Sequence, residues 1–223
     1  MGENALLRKL EASVISNNKK AFIDIIFDFT TDDILALTED EFNRITDISH
    51  QIKLEDVGEF FSYLGSEGIF HLKNALSGSN ELNNLLISRF YLSLFLCMFQ
   101  EHNEKFASAI ANYGTVCTLL SGIGVNTQQN LKRAIKLYQA AQEIFAKDSA
   151  DYARTIINEG NAWQNLADRG IDTQQNLKEA IKLYQAAQEI FAKDSRLVAK
   201  QHRPQESCTP PSRTAPTIQQ NFR

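Results

Sequence analysis

Apolar residues recur at intervals of three and four along most of the chain, which places them on one face of an α-helix. Near the start, for example, Leu6, Leu10 and Val14 share one face of a predicted helix. No window alternates with a period of two, so the pattern predicts no β-strand. In the first half of the chain we expect helices at 3–16, 19–29, 31–37, 38–48, 56–64, 69–76 and 79–101.

Local residue types set the limits of some of these helices. Thr38 and Glu41 have the spacing of a capping box, in which each side chain bonds the other residue's backbone N–H. Gly65 and Gly68 separate two apolar segments, and we expect them to interrupt the helical pattern there.

The most apolar window spans 15 residues, from Leu85 to Phe99, and contains Arg89. A membrane-spanning helix needs about 20 mostly apolar residues. The window therefore predicts a helix that is buried on nearly all sides within the protein, and no membrane association.

A long repeat dominates the second half. The stretch 126–149 returns 46 residues later as 172–195, with differences only at Asn126/Asp172 and Arg133/Glu179. Weaker identities extend the alignment to two units, 104–149 and 150–195. A fixed-period repeat is typical of stacked units that bury their apolar faces against their neighbours.

Each unit is predicted to be a pair of helices. Gly124 and Gly170 supply the bend between the two helices. Asn126, with Gln129 three residues on, has the spacing of a capping box for the second helix, as do their counterparts in the second copy.

The residues of the repeat resemble a known family. The second helices carry Ala134, Ile135, Tyr138 and Ala141, and again Ala180, Ile181, Tyr184 and Ala187. The first helix of the second unit carries Ala153, Ile156, Asn158, Gly160, Asn161, Ala162 and Trp163. Residues 104–195 thus resemble tetratricopeptide repeats, in a variant longer than the usual unit of about 34 residues.

The resemblance implies a helical-hairpin α-solenoid whose first helices line a concave groove for a peptide. It implies the candidate groove residues Asn112, Thr115, Arg154, Asn158, Asn161 and Asn165. An arginine and several amides suit a peptide's carboxylate and backbone. It implies that the following residues pack the repeats together: Ala134, Tyr138, Ala141, Gly160, Trp163, Ala180, Tyr184 and Ala187. The asparagines could instead serve hydrogen bonds within each unit.

We therefore expect an all-α protein in four parts. Residues 1–103 form a helical region that caps the repeats, 104–149 and 150–195 are the two repeats, and 196–223 is a disordered tail rich in proline and polar residues. The near-identity of the copies up to Ser195, followed by abrupt divergence, suggests that a further copy was lost and that the last helix is uncapped.

Composition narrows the function classes. The net charge is −4 and acidic residues predominate in the first half, which argues against nucleic-acid binding. The 3 cysteines include no CxxC pair, the 4 histidines have no metal-ligand or triad spacing, and no phosphate-binding loop occurs. No signal peptide is recognisable at the start. We expect a cytoplasmic protein that is not an enzyme and needs no cofactor or metal.

The leading interpretation is an adaptor or scaffold that binds a protein or peptide in the groove of the inner helices. A second is that residues 1–103 form a regulatory or enzymatic module that the repeats recruit. A third is a truncated repeat protein that mainly self-associates through its uncapped last repeat.

Overall fold

The described part of the chain folds into ten α-helices and contains no β-strand. The computed structural model describes the backbone of residues 5–52, 58–99 and 103–201, and side chains within these ranges as far as residue 193. The predicted all-α class is confirmed over these residues. The helices are α1 (Ala5–Ile15), α2 (Lys19–Asp28), α3 (Thr31–Leu35), α4 (Glu39–Ser49), α5 (Gly58–Leu76), α6 (Glu81–Met98), α7 (Glu104–Gly122), α8 (Thr127–Ile144), α9 (Ala150–Asp168) and α10 (Thr173–Gln201).

The last six helices form three hairpins. Hairpin 1 is α5–α6, hairpin 2 is α7–α8 and hairpin 3 is α9–α10, and neighbouring hairpins pack through α6 with α7 and through α8 with α9. The first helices begin 46 residues apart, at Gly58, Glu104 and Ala150, and so do the second helices. A hairpin with the same period therefore lies in the region that the sequence predicted only as a cap.

The turn inside each hairpin has the same backbone geometry. Gly78, Gly124 and Gly170 have φ of 80°, 88° and 76°, a left-handed conformation that glycine adopts without steric cost. In hairpin 2 the N–H of Gly124 bonds the carbonyl of Ser121, and the N–H of Val125 bonds that of Leu120. This pair of bonds is a Schellman motif, and both bonds recur in hairpins 1 and 3. The predicted bends at Gly124 and Gly170 are confirmed.

The predicted capping role of Asn126 is wrong. Asn126 has φ of 40° and its side chain makes no capping hydrogen bond to α8. Asp172 has the same left-handed conformation, with φ of 38°. Another amide holds the turn, since Asn130 Nδ2 donates to the carbonyl of Val125 at 2.8 Å. A capping residue usually has extended backbone, whereas that of Asn126 is left-handed.

Gly65 and Gly68 do not interrupt a helix, because α5 runs unbroken from Gly58 to Leu76. A Cβ at Gly68 would lie only 2.6 Å from Cγ of Leu92 on α6. Gly114 and Gly160 make the same close approach to the second helix of their own hairpins. These three glycines let paired helices pack closely, and this packing outweighs the low helix propensity of glycine.

The N-terminal helices pack against hairpin 1 through α3 and α4. The capping box predicted for Thr38 and Glu41 is present at the start of α4. Helices α3 and α4 contact α6, and α1 contacts α2 and α4. At the α4–α6 contact, Arg89 Nη1 donates to Glu39 Oε2 at 2.7 Å, and the guanidinium lies 3.9 Å from the ring centroid of Phe42. Arg89 thus ties the N-terminal region to the first hairpin.

Helix α10 is longer than predicted, since it continues to Gln201, six residues into the range 196–223 that was predicted as a disordered tail. The rest of that range, 202–223, lies outside the described residues. Helix α8, by contrast, ends at Ile144, and Phe145 after it is buried in extended backbone. The equal sequences of the two helices therefore do not fix where each helix ends.

Candidate binding groove

Equivalent side chains of the three first helices lie on one face of the hairpin stack. This face carries Ser62, Ser66 and Ile69 on α5, Ser108, Asn112 and Thr115 on α7, and Arg154, Asn158 and Asn161 on α9. The spacing of three and four residues puts the members of each trio on the same side of their helix. The face carries two small serines and an isoleucine at α5, and larger polar residues, including Arg154, at α9.

An open groove of about 880 Å³ lies on this face between α5 and α7. Phe61 and Gly65 of α5 line it, together with Phe95 of α6 and Phe99, the residue after α6. Its polar rim carries Ser62, Ser66, Asn103, Glu104, Lys105 and Ser108. The groove therefore combines an apolar floor with hydrogen-bonding groups along its edges, the usual composition of a binding site.

Three phenylalanines form the floor. The ring centroids of Phe95 and Phe99 are 4.8 Å apart in a stacked arrangement. Phe61 approaches them edge-on, at 6.4 Å from Phe95 and 5.3 Å from Phe99. Each ring is thus held by the other two, and such a preformed aromatic surface binds an apolar side chain with little loss of conformational entropy.

The depth of the groove follows from residue sizes in hairpin 1. Gly65 has no side chain, whereas Ala111 and Ile157 occupy the equivalent positions in hairpins 2 and 3. A Cβ at Gly65 would lie 3.6 Å from the ring of Phe95, so side-chain atoms would fit there and would fill space that is open. The glycine at this position keeps the phenylalanine floor accessible.

The predicted groove residues lie further along the same face. Arg154 is exposed, and its Nη2 is 3.2 Å from Asp151 Oδ1 on the same helix. Asn112, Asn158 and Asn165 are half-buried. Their role in binding stays a prediction, because the aromatic groove is lined by other residues in hairpin 1 and at the start of α7.

Thr115 and Asn161 also hold their own hairpins together. Tyr138 Oη donates to Thr115 Oγ1 at 3.3 Å, and Tyr184 Oη donates to Asn161 Oδ1 at 2.7 Å. The second bond agrees with the alternative that asparagines serve hydrogen bonds within a unit. Burial raises the pKa of Tyr184, so its hydroxyl stays protonated and remains a donor at neutral pH.

The residues predicted to pack the repeats lie in the interior to different degrees. Ala134, Ala141, Ala180 and Ala187 are buried, as are Tyr138 and Gly160, while Trp163 and Tyr184 are half-buried. Gly160 is a close approach, since a Cβ there would lie 2.7 Å from Cε1 of Tyr184.

A buried carboxylate joins hairpins 2 and 3. Glu159 of α9 accepts hydrogen bonds from Gln139 Nε2 at 2.8 Å and Gln142 Nε2 at 2.7 Å, both on α8. Trp163 Nε1 donates to the same carboxylate at 3.2 Å. A buried carboxylate is tolerated only when donors satisfy it, and here three donors do so. These contacts were not predicted from the sequence, because the two glutamines lie on another helix, 20 and 17 residues before Glu159.

Other candidate surfaces offer less. A second concavity, of about 630 Å³, is lined by polar residues of α8 and the turn before it: Asn126, Gln128, Gln129, Lys132, Arg133 and Lys136.

Burial raises the pKa of the Cys97 and Cys117 thiols to about 12, so both are protonated and weakly nucleophilic at neutral pH.

The described ranges contain neither a metal-binding cluster nor a membrane-spanning helix. No cluster of three or more His, Cys, Asp or Glu side chains with the arrangement of a metal site occurs in that part of the chain. None of the described helices combines the length and apolar character that crossing a membrane requires. In comparisons with known proteins, no protein-family model, no curated protein and no solved structure matched this chain.

Proposed function

We propose that this protein is a protein-interaction module that binds a peptide segment of a partner along the face formed by α5, α7 and α9. The observation that carries the proposal is the aromatic groove between α5 and α7, whose floor is formed by Phe61 and Phe99, both half-buried, above the buried Phe95. The tetratricopeptide-like residues of hairpins 2 and 3 agree with binding on this face, since that family receives peptides on its first helices.

The chemistry of the face suggests how a segment would bind. An apolar or aromatic side chain would enter the groove above the phenylalanine floor, where burial contributes about 25 cal/mol per Å² of apolar surface. The hydroxyls of Ser66 and Ser108 on the rim donate to carbonyls of their own helices, so their oxygens can accept hydrogen bonds from the backbone N–H groups of an extended peptide. Towards α9, Arg154 and Asn158 suit an acidic side chain or a terminal carboxylate.

Filling the groove tests this proposal. The variant Gly65→Leu would project a side chain into the groove, and its Cβ would make only ordinary contacts, so we expect the variant to fold. Leucine also favours a helix over glycine by about 1 kcal/mol, so thermal stability should not fall. The matched control is Gly122→Leu, the same change at a helical glycine with nothing within 4 Å of its added Cβ.

The probe is a library of short random peptides displayed on phage and selected on the wild-type chain. Selected peptides should carry an apolar anchor and should bind Gly65→Leu at least about tenfold more weakly, a loss of about 1.4 kcal/mol, with no change in Gly122→Leu. A double variant, Arg154→Ala with Asn158→Ala, shows whether the polar end takes part. Equal affinity of the peptides for the wild type and Gly65→Leu would refute groove binding.

A further inference from the structure

The second helices α8 and α10 have nearly the same sequence but different surroundings. Ile135 of α8 is 5% exposed, whereas its equivalent on α10, Ile181, is 55% exposed. Leu131 is fully buried, whereas Leu177 is 38% exposed. The difference arises because α9 packs against α8, and no described helix packs against α10 in the same way.

The α8–α9 contact shows what this helix face accepts. The two glutamines of α8 donate to Glu159, and its Ile135 borders a depression with Trp163 and Leu166 of α9. Ala162, fully buried, occupies the position three residues after the glutamate. Residues at spacings of three, four and seven lie on one face of a helix. The occupant of α8 thus presents an acidic residue, a small residue, an aromatic residue and an aliphatic residue in that order.

Helix α10 repeats the receiving half of this contact. Gln185 and Gln188 stand at the positions of Gln139 and Gln142, and both are exposed. Together with Ile181 they form a surface that we name the α10 face. It offers two amide donors beside an exposed aliphatic side chain, which is a complement to a carboxylate next to an apolar surface.

We propose that the α10 face docks an amphipathic helix of a partner protein, in which an acidic residue is followed by a small residue at the third position, an aromatic residue at the fourth and an aliphatic residue at the seventh. The acidic residue accepts from Gln185 and Gln188, and the apolar residues cover Ile181. None of the residues that line the groove between α5 and α7 lies on α10, so this binding is independent of the proposed peptide site.

A second copy of this chain is a poorer occupant. The residue of α5 equivalent to Glu159 is Glu67, and it is followed by Phe70 at the third position and His71 at the fourth. Phenylalanine is too large for the place of the buried Ala162, because volume added to a packed contact costs about 1–3 kcal/mol. The acidic residue of α5 therefore comes without the small residue that the contact needs.

The test uses a fluorescently labelled peptide with the sequence of α9, constrained to a helix by a side-chain link on its solvent face, and the full chain. Fluorescence anisotropy should show saturable binding. Ile181→Lys in the protein, or Glu159→Ala in the peptide, should weaken binding at least about tenfold. The first change buries a charge against apolar residues, and the second leaves the amides of Gln185 and Gln188 without an acceptor. Ile15→Lys is the matched control, since Ile15 is an exposed isoleucine on α1.

Three results would overturn the proposal. Equal peptide binding by the wild type and Ile181→Lys would show that the peptide binds elsewhere, for example by exchange with the protein's own α9. Concentration-dependent dimerisation that Ile181→Lys abolishes, measured by light scattering, would assign the face to a second copy. Peptide binding that begins only when the chain is ended after Gln201 would show that residues 202–223 cover the face.

Discussion

The close contacts of Gly68, Gly114 and Gly160 allow a prediction of how alanine at Gly114 or Gly160 changes stability. At each site a helical glycine faces the second helix of its hairpin, and an added Cβ would lie 2.6–2.7 Å from a side-chain carbon there. Alanine at these sites has two opposing effects. It favours the helix by about 1 kcal/mol relative to glycine, and it forces atoms into a packed contact at a cost of about 1–3 kcal/mol.

The surroundings decide which effect is larger. Tyr138, which faces Gly114, is 1% exposed, and its hydroxyl lies 3.3 Å from those of Thr115 and Thr118. Its ring has nowhere to move, so we expect Gly114→Ala to lower the free energy of unfolding by about 1–2 kcal/mol. Tyr184, which faces Gly160, is half-buried at the open end of the stack. Its hydroxyl donates to the exposed side chains of Asn161 and Gln164, and water can replace these bonds if the ring rotates outwards, so Gly160→Ala should change stability by less than about 1 kcal/mol.

Equilibrium urea unfolding followed by far-UV circular dichroism measures these changes, with the m-value as a check that the unfolded state is unchanged. Gly122→Ala is the control, because nothing lies within 4 Å of an added Cβ there, and it should stabilise by about 0.5 kcal/mol. Fluorescence of Trp163, the one tryptophan of the chain, reports on hairpin 3 separately. If Gly114→Ala stabilises the protein as much as Gly122→Ala does, the argument from close helix packing is wrong.

Three further predictions concern buried or partly buried groups. Glu39→Ala should lower the free energy of unfolding by about 3 kcal/mol, because it leaves the charge of Arg89, whose side chain is 4% exposed, without its partner. Arg89→Met should cost less than half of that, because the side chain of Glu39 is 41% exposed and water can solvate it. Urea unfolding of both variants checks this, and equal costs would contradict it. The hydrogen bond from Arg89 lowers the pKa of Glu39. The ionised Glu39 therefore stabilises the fold above the ordinary glutamate pKa of 4.5, and this stabilisation is lost as the pH falls through the lower pKa of the folded state. The stability difference between the wild type and Glu39→Gln should shrink between neutral pH and about pH 3. In a Cys208→Ser variant, Cys97 and Cys117 should react with a thiol reagent only slowly, since burial raises both pKa values to about 12; fast reaction without denaturant would show that the thiols are accessible.

Much of the helical architecture could be predicted from the sequence, because the spacing of apolar residues is a local property. The capping box at Thr38 and Glu41 and the bends at Gly124 and Gly170 are also local, and the structure contains them. The failures concern residues whose role depends on a neighbour. Gly68 was expected to end a helix, but Leu92 of the next helix occupies the space of its missing side chain.

Hairpin 1 was not predicted from the sequence, for a related reason. Hairpin 1 keeps Gly68, Gly78 and Asn84 at the same 46-residue spacing as its neighbours, and these residues were enough to reveal it. Its remaining sequence has diverged, with Phe61 and Phe95 where the other hairpins have alanine. Those phenylalanines form the floor of the groove, so the divergence that hid the hairpin also created the candidate site.

Helices α8 and α10 show why a sequence pattern alone does not determine a surface. The same isoleucine is part of the core at position 135 and exposed at position 181, so its residue type records only that the face requires a neighbour. What that neighbour must contain is shown by the contact that exists, in which Glu159 satisfies the two glutamines of α8. Helix α10 keeps the two glutamines but is not covered, so the contact of α8 with α9 describes the kind of helix that would cover α10. On the face of the first helices, by contrast, peptide specificity should reside in α5, α7 and α9, because their residues on that face differ from one hairpin to the next.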